Sequence, residues 1–189
     1  YQESWDNSGL QVGDRNAEVH AALLTVDVTE SVVDEAIEKH CDLIISHHPL
    51  IFRGLKQITG STTQERCIEK AIRHNIAIYS SHTSMDVYLH GVSGKIADKL
   101  DIINYHILCP TTDDNVGLGV IGELKTPMKS DDFIHFVQNI FDCSLRYIKP
   151  CDENITTVAI CGGAGAEFIT QAIAQGADIY ITADMKYHE

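Results

Sequence analysis

The sequence predicts an α/β fold in which mostly parallel sheets are flanked by helices. Three observations lead to this prediction. Short apolar runs alternate along the chain with amphipathic segments of helical period, which is the pattern of βαβ units. Polar turn residues separate the runs. The chain of 189 residues is 44% hydrophobic and 22% charged, as in an ordinary globular protein with a sizeable core.

In the first part of the chain, strands and helices alternate regularly. Thr29 is the predicted N-cap of the first helix, and Thr62 or Thr63 begins the second, since a threonine hydroxyl accepts from the first free N–H groups. Apolar residues recur at helical spacing after each cap. The predicted strands cover residues 19–28, 42–46 and 76–81, and the predicted helices cover residues 29–40, 62–74 and 91–100.

The regular alternation of predicted strands and helices stops after Pro110, where a polar stretch, residues 111–115, is typical of a linker. We therefore predict a first domain of residues 1–112 and a second of residues 113–189, whose C-terminal strand could return to the first domain. Ser130 is the predicted cap of a helix that ends at Phe141. Further predicted strands cover residues 117–124, 145–148, 155–161 and 178–182, with a helix over residues 166–177.

Composition excludes several classes of protein. A net charge of −13 argues against nucleic-acid binding, which requires a basic face, although a bound cation would still allow a phosphorylated substrate. No apolar run approaches a membrane span, and no signal peptide is visible. Six scattered cysteines without a Cys-x-x-Cys pair predict reduced thiols and a cytoplasmic location. The sequence does not begin with Met, so we expect its natural start to be missing.

His47 and His48 directly follow the apolar strand over residues 42–46, and Pro49 then takes the chain out of the sheet. In open α/β sheets, ligands bind outside the carboxyl ends of the strands. Imidazole is also the commonest metal ligand in proteins. We interpret the pair as metal ligands that could reach two different ions. The alternative is a pair of surface histidines beside a turn.

His82 and Asp86 follow the next strand in the same way, and they lie four residues apart, on one face of a helical turn. One carboxylate added to two imidazoles is a common ligand set for Zn²⁺, Mn²⁺ or Fe²⁺. We predict Asp86 as a ligand and His82 as a residue that supports the ligands. The alternative is that Asp86 caps the following helix and His82 packs beneath it.

Three other stretches give weaker signals. The Gly-Gly-Ala-Gly run of residues 162–165 resembles a phosphate-binding turn, but it lacks the usual spacing, and a tight packing turn explains it equally well. Asp184 and His188 follow the last strand four residues apart, which also places them at a sheet edge. The Trp-Asp-Asn-Ser-Gly-Leu stretch, residues 5–10, is a polar turn that could be a simple connector.

Five motifs together resemble the dinuclear metal-centre family of GTP cyclohydrolase 1 type 2 homologues, the Nif-three-like proteins. They are Trp-Asp-Asn-Ser-Gly-Leu-Gln-Val-Gly (5–13), Ser-His-His-Pro-Leu-Ile-Phe (46–52), His-Thr-Ser-Met-Asp (82–86), Gly-Gly-Ala-Gly (162–165) and Ile-Thr-Ala-Asp-Met-Lys-Tyr-His (181–188). The resemblance implies two interlocked α/β domains and a homo-oligomer, a ring-shaped hexamer. It also implies two divalent ions per subunit (Zn, Mn or Fe), with His47 and His48 each holding one ion and Asp86 supplying a carboxylate.

The sequence departs from the family pattern at several points. Family members complete the metal site with a His and a Glu from a segment beyond the Tyr-His motif, whereas this sequence ends at Glu189. Since three ligands are few for two ions, we expect the ions to be weakly held, partly occupied or absent. Ser93 and Gly94 stand where Asn-Asp is common, and Ala183 stands where glycine is usual. The sequence resembles the short form of the family, which lacks an extra middle domain.

The resemblance implies a metal-dependent hydrolase acting on a small molecule, a nucleotide among the options, with GTP ring opening as the family's named activity. His82 or His188 would transfer the proton. The alternative is a non-catalytic metal-binding scaffold or regulatory interaction protein, which would require the same ligands.

Overall fold

A computed structural model describes residues 2, 4–113, 115–148, 153–185 and 188 of the chain. It divides into two compact units, residues 1–85 and 86–189. The boundary predicted at residue 112 falls inside a strand of the second unit instead, because residues 102–113 pair with the strand that follows them. The α/β class is confirmed, with two four-stranded mixed sheets flanked by helices.

The first unit contains a sheet in the order β1-β4-β3-β2. Strands β2, β3 and β4 are parallel, as predicted, and the short β1, which the sequence did not indicate, pairs antiparallel with β4. The bounds are β1 Gly9–Val12, β2 Ala22–Thr25, α1 Glu30–Glu38, β3 Leu43–Ser46, α2 Thr63–Arg73, β4 Ala77–Ser80 and α3 His82–Asp86, whose last residue follows the division between the units.

The predicted caps fix both long helices of this unit. The Thr29 hydroxyl accepts from the Val32 N–H at 3.3 Å, and the Thr62 hydroxyl accepts from the Glu65 N–H at 3.2 Å. Their apolar faces share one core with the sheet, and its fully buried members include Val33, Ile44, Ile68 and Ile78. Burial of these side chains against the sheet supplies most of the stability of helices this short.

The second unit contains a sheet in the order β5-β6-β7-β8, in which only β7 and β8 are parallel. The expectation of a mostly parallel sheet is therefore wrong here, because two residues join β5 to β6 and parallel strands need a long crossover. The bounds are α4 Val92–Lys99, β5 Ile102–Asp113, β6 Val116–Lys129, α5 Ser130–Phe141, β7 Asn154–Ala164, α6 Ile169–Ala174 and β8 Ile179–Asp184.

Several other local predictions for this unit differ from the structure. Residues 145–148 form no strand. Ser130 is the first residue of α5 rather than its cap, and its N–H donates to the Glu153 carbonyl. The helix predicted over residues 166–177 is a 3-10 turn, Ala166–Phe168, followed by α6. The last strand, β8, pairs with β7 and so belongs to the second sheet.

Helix α4 packs on the second sheet, and a glycine lets the segment before the helix approach it closely. A Cβ atom on Gly94 would lie 2.0 Å from the Leu89 carbonyl oxygen, so only glycine fits at this position. The core below contains Ala97, Leu100, Phe133 and Val158, all fully buried.

Within the described ranges, the structure has no helix of the length and apolar character that a bilayer crossing requires.

Candidate metal centre

The carboxyl ends of β3 and β4 place three histidines together. The two strands are parallel neighbours with Ser46 opposite Ser80, and the hydroxyls of this buried pair lie 2.8 Å apart. The backbone ladder continues beyond the strands, since the His82 N–H donates to the His47 carbonyl at 3.0 Å. Because both strands end at one edge of the sheet, His47, His48 and His82 emerge side by side.

The three imidazole rings form a compact cluster. The ring centroids of His47 and His48 are 4.9 Å apart, those of His47 and His82 are 5.5 Å apart, and those of His48 and His82 are 5.9 Å apart. Neutral imidazoles gain little from such edge contacts, and protonated ones would repel each other. A cluster of this kind therefore favours a site where the ring nitrogens share a cation.

Asp86, the last residue of α3, completes a group that could hold a metal ion. One ligand atom each from His47, His82 and Asp86 can be chosen so that all three lie within 4.8 Å of one another. A metal ion bonded at about 2 Å holds its ligand atoms roughly 3–4 Å apart, so small side-chain adjustments would close the group. The structure thus brings His47 and Asp86 together, as expected from their positions after neighbouring strands, and it adds His82 as a third candidate ligand.

The ring of His82 is held in place by Asp6, whose side chain is fully buried. The Asp6 carboxylate lies 2.7 Å from His82 Nδ1 and also accepts from the Thr83 N–H and from the hydroxyls of Thr83 and Ser8. Burial raises the pKa of Asp6, but the hydrogen bonds from Thr83, His82 and Ser8 outweigh it and hold the pKa well below its usual range.

Since the Asp6 carboxylate is ionised and can only accept, Nδ1 of His82 carries the proton. The lone pair of that ring is then on Nε2, which is the nitrogen left for a cation. Asp6 is a residue of the candidate site that sequence reasoning did not single out. The available signal was its place in the Trp-Asp-Asn motif, for which the sequence left a simple connector as an open alternative.

His48 lies beside the group without being one of its three members. Its Nδ1 is 2.8 Å from a carboxylate oxygen of Asp27, and the two side chains are 51% and 66% exposed. This pair resembles the Asp6–His82 pair but is far more open to solvent, so it orders its ring less strongly.

Comparison with known proteins identifies the family of this chain. All 189 residues match the sequence profile of Duf34/NIF3 (NGG1p interacting factor 3). The chain belongs to the Duf34/NIF3 family. A "GTP cyclohydrolase 1 type 2 homolog" of Clostridium acetobutylicum is 37% identical over 99% of this chain and 71% of its own length. A "Protein NIF3 homolog" of Schizosaccharomyces pombe is 33% identical over 99% of this chain and 71% of its own length.

Solved structures of Duf34/NIF3 relatives share the fold. A Bacillus cereus protein related to NIF3 superimposes with a TM-score of 0.91 at 27% identity, covering 99% of this chain and 79% of that one. A Staphylococcus aureus protein superimposes with a TM-score of 0.89 at 32% identity, covering 98% of this chain and 75% of that one. The family and fold expected from the five motifs are therefore confirmed.

The remaining predicted residues of this Duf34/NIF3 chain lie in the second unit. Asp184 ends β8 of the second sheet and His188 lies in an exposed turn, so neither follows a strand of the sheet that carries His47. Neither is a member of the three-residue group found among the described residues. Strand β8 pairs with β7, so Asp184 ends a strand of the second sheet, whereas His47 follows a strand of the first.

The Gly-Gly-Ala-Gly turn is built as a packing turn. The Gly165 N–H donates to the Thr182 hydroxyl, that hydroxyl donates to the Gly163 carbonyl, and the Tyr180 hydroxyl donates to the Gly165 carbonyl. These bonds tie the turn to β8, and one of them uses the Gly165 N–H, a donor that a phosphate site would need. Gly163 has a φ of 68°, which explains the requirement for glycine there.

Proposed function

We propose that the chain binds a divalent metal ion through His47, His82 and Asp86 and that this centre hydrolyses a small-molecule substrate. The observation that carries the proposal is the convergence of two imidazole nitrogens and one carboxylate oxygen within 4.8 Å. This donor set suits Zn²⁺, Mn²⁺ or Fe²⁺, the ions expected from the sequence.

The surroundings of the three residues support a metal-binding role. A ligating histidine almost always donates its other N–H to a carboxylate or carbonyl, and Asp6 accepts from His82 in that way. The ring of His48, paired with Asp27, lies next to the rings of His47 and His82, and we propose that it contributes to the second ion that the family resemblance implies. Both carboxylates orient a ring.

A divalent ion at such a site polarises a substrate oxygen and lowers the pKa of water, which is the chemistry of hydrolysis. The protein's own contribution is to orient the ligands. With Nδ1 bonded to Asp6 and Nε2 in the metal group, His82 is better suited to bind a metal than to transfer a proton. His188 stays a predicted proton-transfer residue. The names of the relatives favour a nucleotide as substrate, with GTP the first to test.

The test is metal content and turnover of the purified protein. Metal-stripped protein is reloaded with Zn²⁺, Mn²⁺ or Fe²⁺, bound metal is measured by elemental mass spectrometry, and hydrolysis is assayed with GTP and a phosphoester panel. We expect Asp86→Asn to weaken metal binding by at least about 100-fold, since even the loss of an outer partner costs about 10–100-fold. A second substitution, His47→Gln, has a matched control in His74→Gln, at the exposed C-terminal end of α2.

Two results would contradict parts of the proposal. Unchanged metal binding in Asp86→Asn and in His47→Gln would overturn the proposal that these residues bind the metal. Tight stoichiometric metal with no turnover of any substrate would instead favour the non-catalytic scaffold that the sequence left open.

A further inference from the structure

Two large aromatic side chains lie exposed beside the histidine cluster. Trp5 is 60% exposed and Phe52 is 45% exposed. Their ring centroids are 6.2 Å apart with an angle of 64° between the ring planes. Each ring also contacts His82, with centroid distances of 6.3 Å for Trp5 and 6.2 Å for Phe52. An aromatic corner, Trp5 and Phe52, therefore adjoins the candidate metal centre directly.

The backbone on both sides of this corner is firmly held. Asp6, next to Trp5, is fixed by its bonds to His82 and Thr83. Ile51, next to Phe52, donates its N–H to the Gln11 side chain at 2.7 Å, and its carbonyl accepts from the Asn7 side chain. The rings are thus exposed on an ordered frame, and they need little reordering to receive a ligand.

This arrangement is costly unless something covers the rings. Burying a large aromatic side chain stabilises a folded protein, and here two such side chains stay largely in water. The hydrogen bonds around Asp6, Asn7 and Gln11 hold them there rather than letting them fold into the core. An exposed aromatic pair on rigid backbone next to a reactive centre is typical of a binding site.

We propose that Trp5 and Phe52 form a stacking site for the planar heteroaromatic ring of the substrate, with the ring of a nucleobase as the chemical class. The inference rests on the proposed function, because the site would hold the substrate ring beside the metal centre. Two aromatic planes at 64° offer a face for stacking and an edge for a T-shaped contact.

The charge of the protein favours this kind of recognition. With a net charge of −13, the chain offers little general attraction for an anionic substrate. Stacking on aromatic rings needs no positive charge, because every base has a π face. Base stacking would therefore supply affinity that the surface charge does not, while phosphates would be balanced at the cations.

The chain contains a single tryptophan, so its fluorescence reports on Trp5 alone. The probes are guanosine and GTP, with ribose 5-phosphate and tripolyphosphate as matched compounds that lack the ring. In metal-free protein, we expect guanosine to change the Trp5 fluorescence in a saturable manner. Ribose 5-phosphate should leave it unchanged, and with metal present GTP should bind more tightly than tripolyphosphate.

Substitutions at Phe52 keep the fluorophore and test the partner ring. Phe52→Leu keeps an apolar side chain but removes the ring, and it should weaken guanosine binding about 10-fold. Phe52→Tyr should restore it. Ile58→Ala, at a side chain that is 50% exposed in the same loop, is the control and should bind guanosine like the parent protein. In turnover assays Phe52→Leu should raise KM more than it lowers kcat.

The outcomes separate this inference from the proposed function. No saturable response to guanosine or GTP, or equal binding by Phe52→Leu and the parent protein, overturns the stacking site even if metal binding and hydrolysis are intact. A change of oligomer mass in Phe52→Leu without a guanosine effect also overturns it, because the corner would then cover another subunit. If the protein cannot be loaded with metal but still responds to guanosine, the failure to bind metal contradicts the proposed function, whereas the guanosine response supports the stacking site.

Discussion

Asp6 shows how one buried carboxylate can set the chemistry of a neighbouring ring. Its side chain has no exposed surface, yet the pKa stays low because Thr83, His82 and Ser8 all donate to it and together outweigh the opposing effect of burial. An ionised acceptor fixes the proton of His82 on Nδ1. The same residue connects the N-terminal segment to α3, so its structural and chemical roles coincide.

Replacement of Asp6 tests this role at the residue scale. We expect Asp6→Asn to lower Zn²⁺ affinity about 10–100-fold, because a neutral amide no longer selects the tautomer of His82. Competition with a chromogenic chelator measures the affinity. Glu18→Gln, at a side chain that is 86% exposed, removes the same charge from the surface and should bind Zn²⁺ like the parent protein. Equal affinity in Asp6→Asn would refute the orienting role.

At the scale of elements, α2 and the loop before it form one capped unit. The Glu65 carboxylate accepts from the N–H groups of Thr59 and Ser61 and from the Thr59 hydroxyl, while the Thr62 hydroxyl accepts from the Glu65 N–H. These bonds tie the loop that follows His48 to the start of the helix, with the carboxylate accepting from residues before the Thr62 cap rather than from the Thr62 N–H as in a capping box. The backbone and hydroxyl bonds from Thr59 lower the pKa of Glu65.

The lowered pKa gives a pH dependence with a defined sign. A carboxyl whose pKa is lower in the folded state stabilises the fold above its unfolded pKa, and that stability is lost as the pH falls through the folded value. We expect Glu65→Gln to lower the urea midpoint at about pH 7 and to lower it less at about pH 3.5. In Glu69→Gln the lost partner is only a surface arginine, Arg73, so this control should change little. A pH-independent effect of Glu65→Gln would contradict the account.

At the scale of the whole molecule, each unit has its own buried apolar residues, and each unit contains a buried thiol. Cys67 belongs to the core of the first unit, and Cys161 is buried in the second. The five cysteines that the structure describes are all free, in agreement with the reduced thiols predicted from their spacing. Burial raises the pKa of Cys161 to about 11, and the Tyr180 hydrogen bond offsets only part of this rise.

Alkylation should therefore distinguish the thiols of the folded protein. Iodoacetamide reacts with thiolates, so we expect exposed Cys143 to be modified first and Cys67 and Cys161 to be protected. Peptide mass spectrometry at about pH 8 measures the rates. In urea, all six cysteines should react alike. Modification of Cys161 at the rate of Cys143 in the folded protein would show that the second core is not closed.

Features encoded by a short stretch of chain could be predicted from the sequence. Thr29 and Thr62 cap their helices because a hydroxyl and the N–H that it accepts from lie only three residues apart. His47 and Asp86 were placed at one sheet edge because parallel strands present their carboxyl ends together. Periodicity and caps are local properties, and they determined most elements of the first unit.

Only the tertiary structure decided the features that depend on a distant partner. Strand β5 went unpredicted because its polar residues and Pro110 suit a loop equally well, and it is a strand because β6 pairs with it at the sheet edge. Asp6 meets His82 across 76 residues of sequence. Local patterns fix what a segment prefers to be, whereas the choice of partner depends on which surfaces burial brings together, and that choice turned an apparent connector into part of the candidate metal centre.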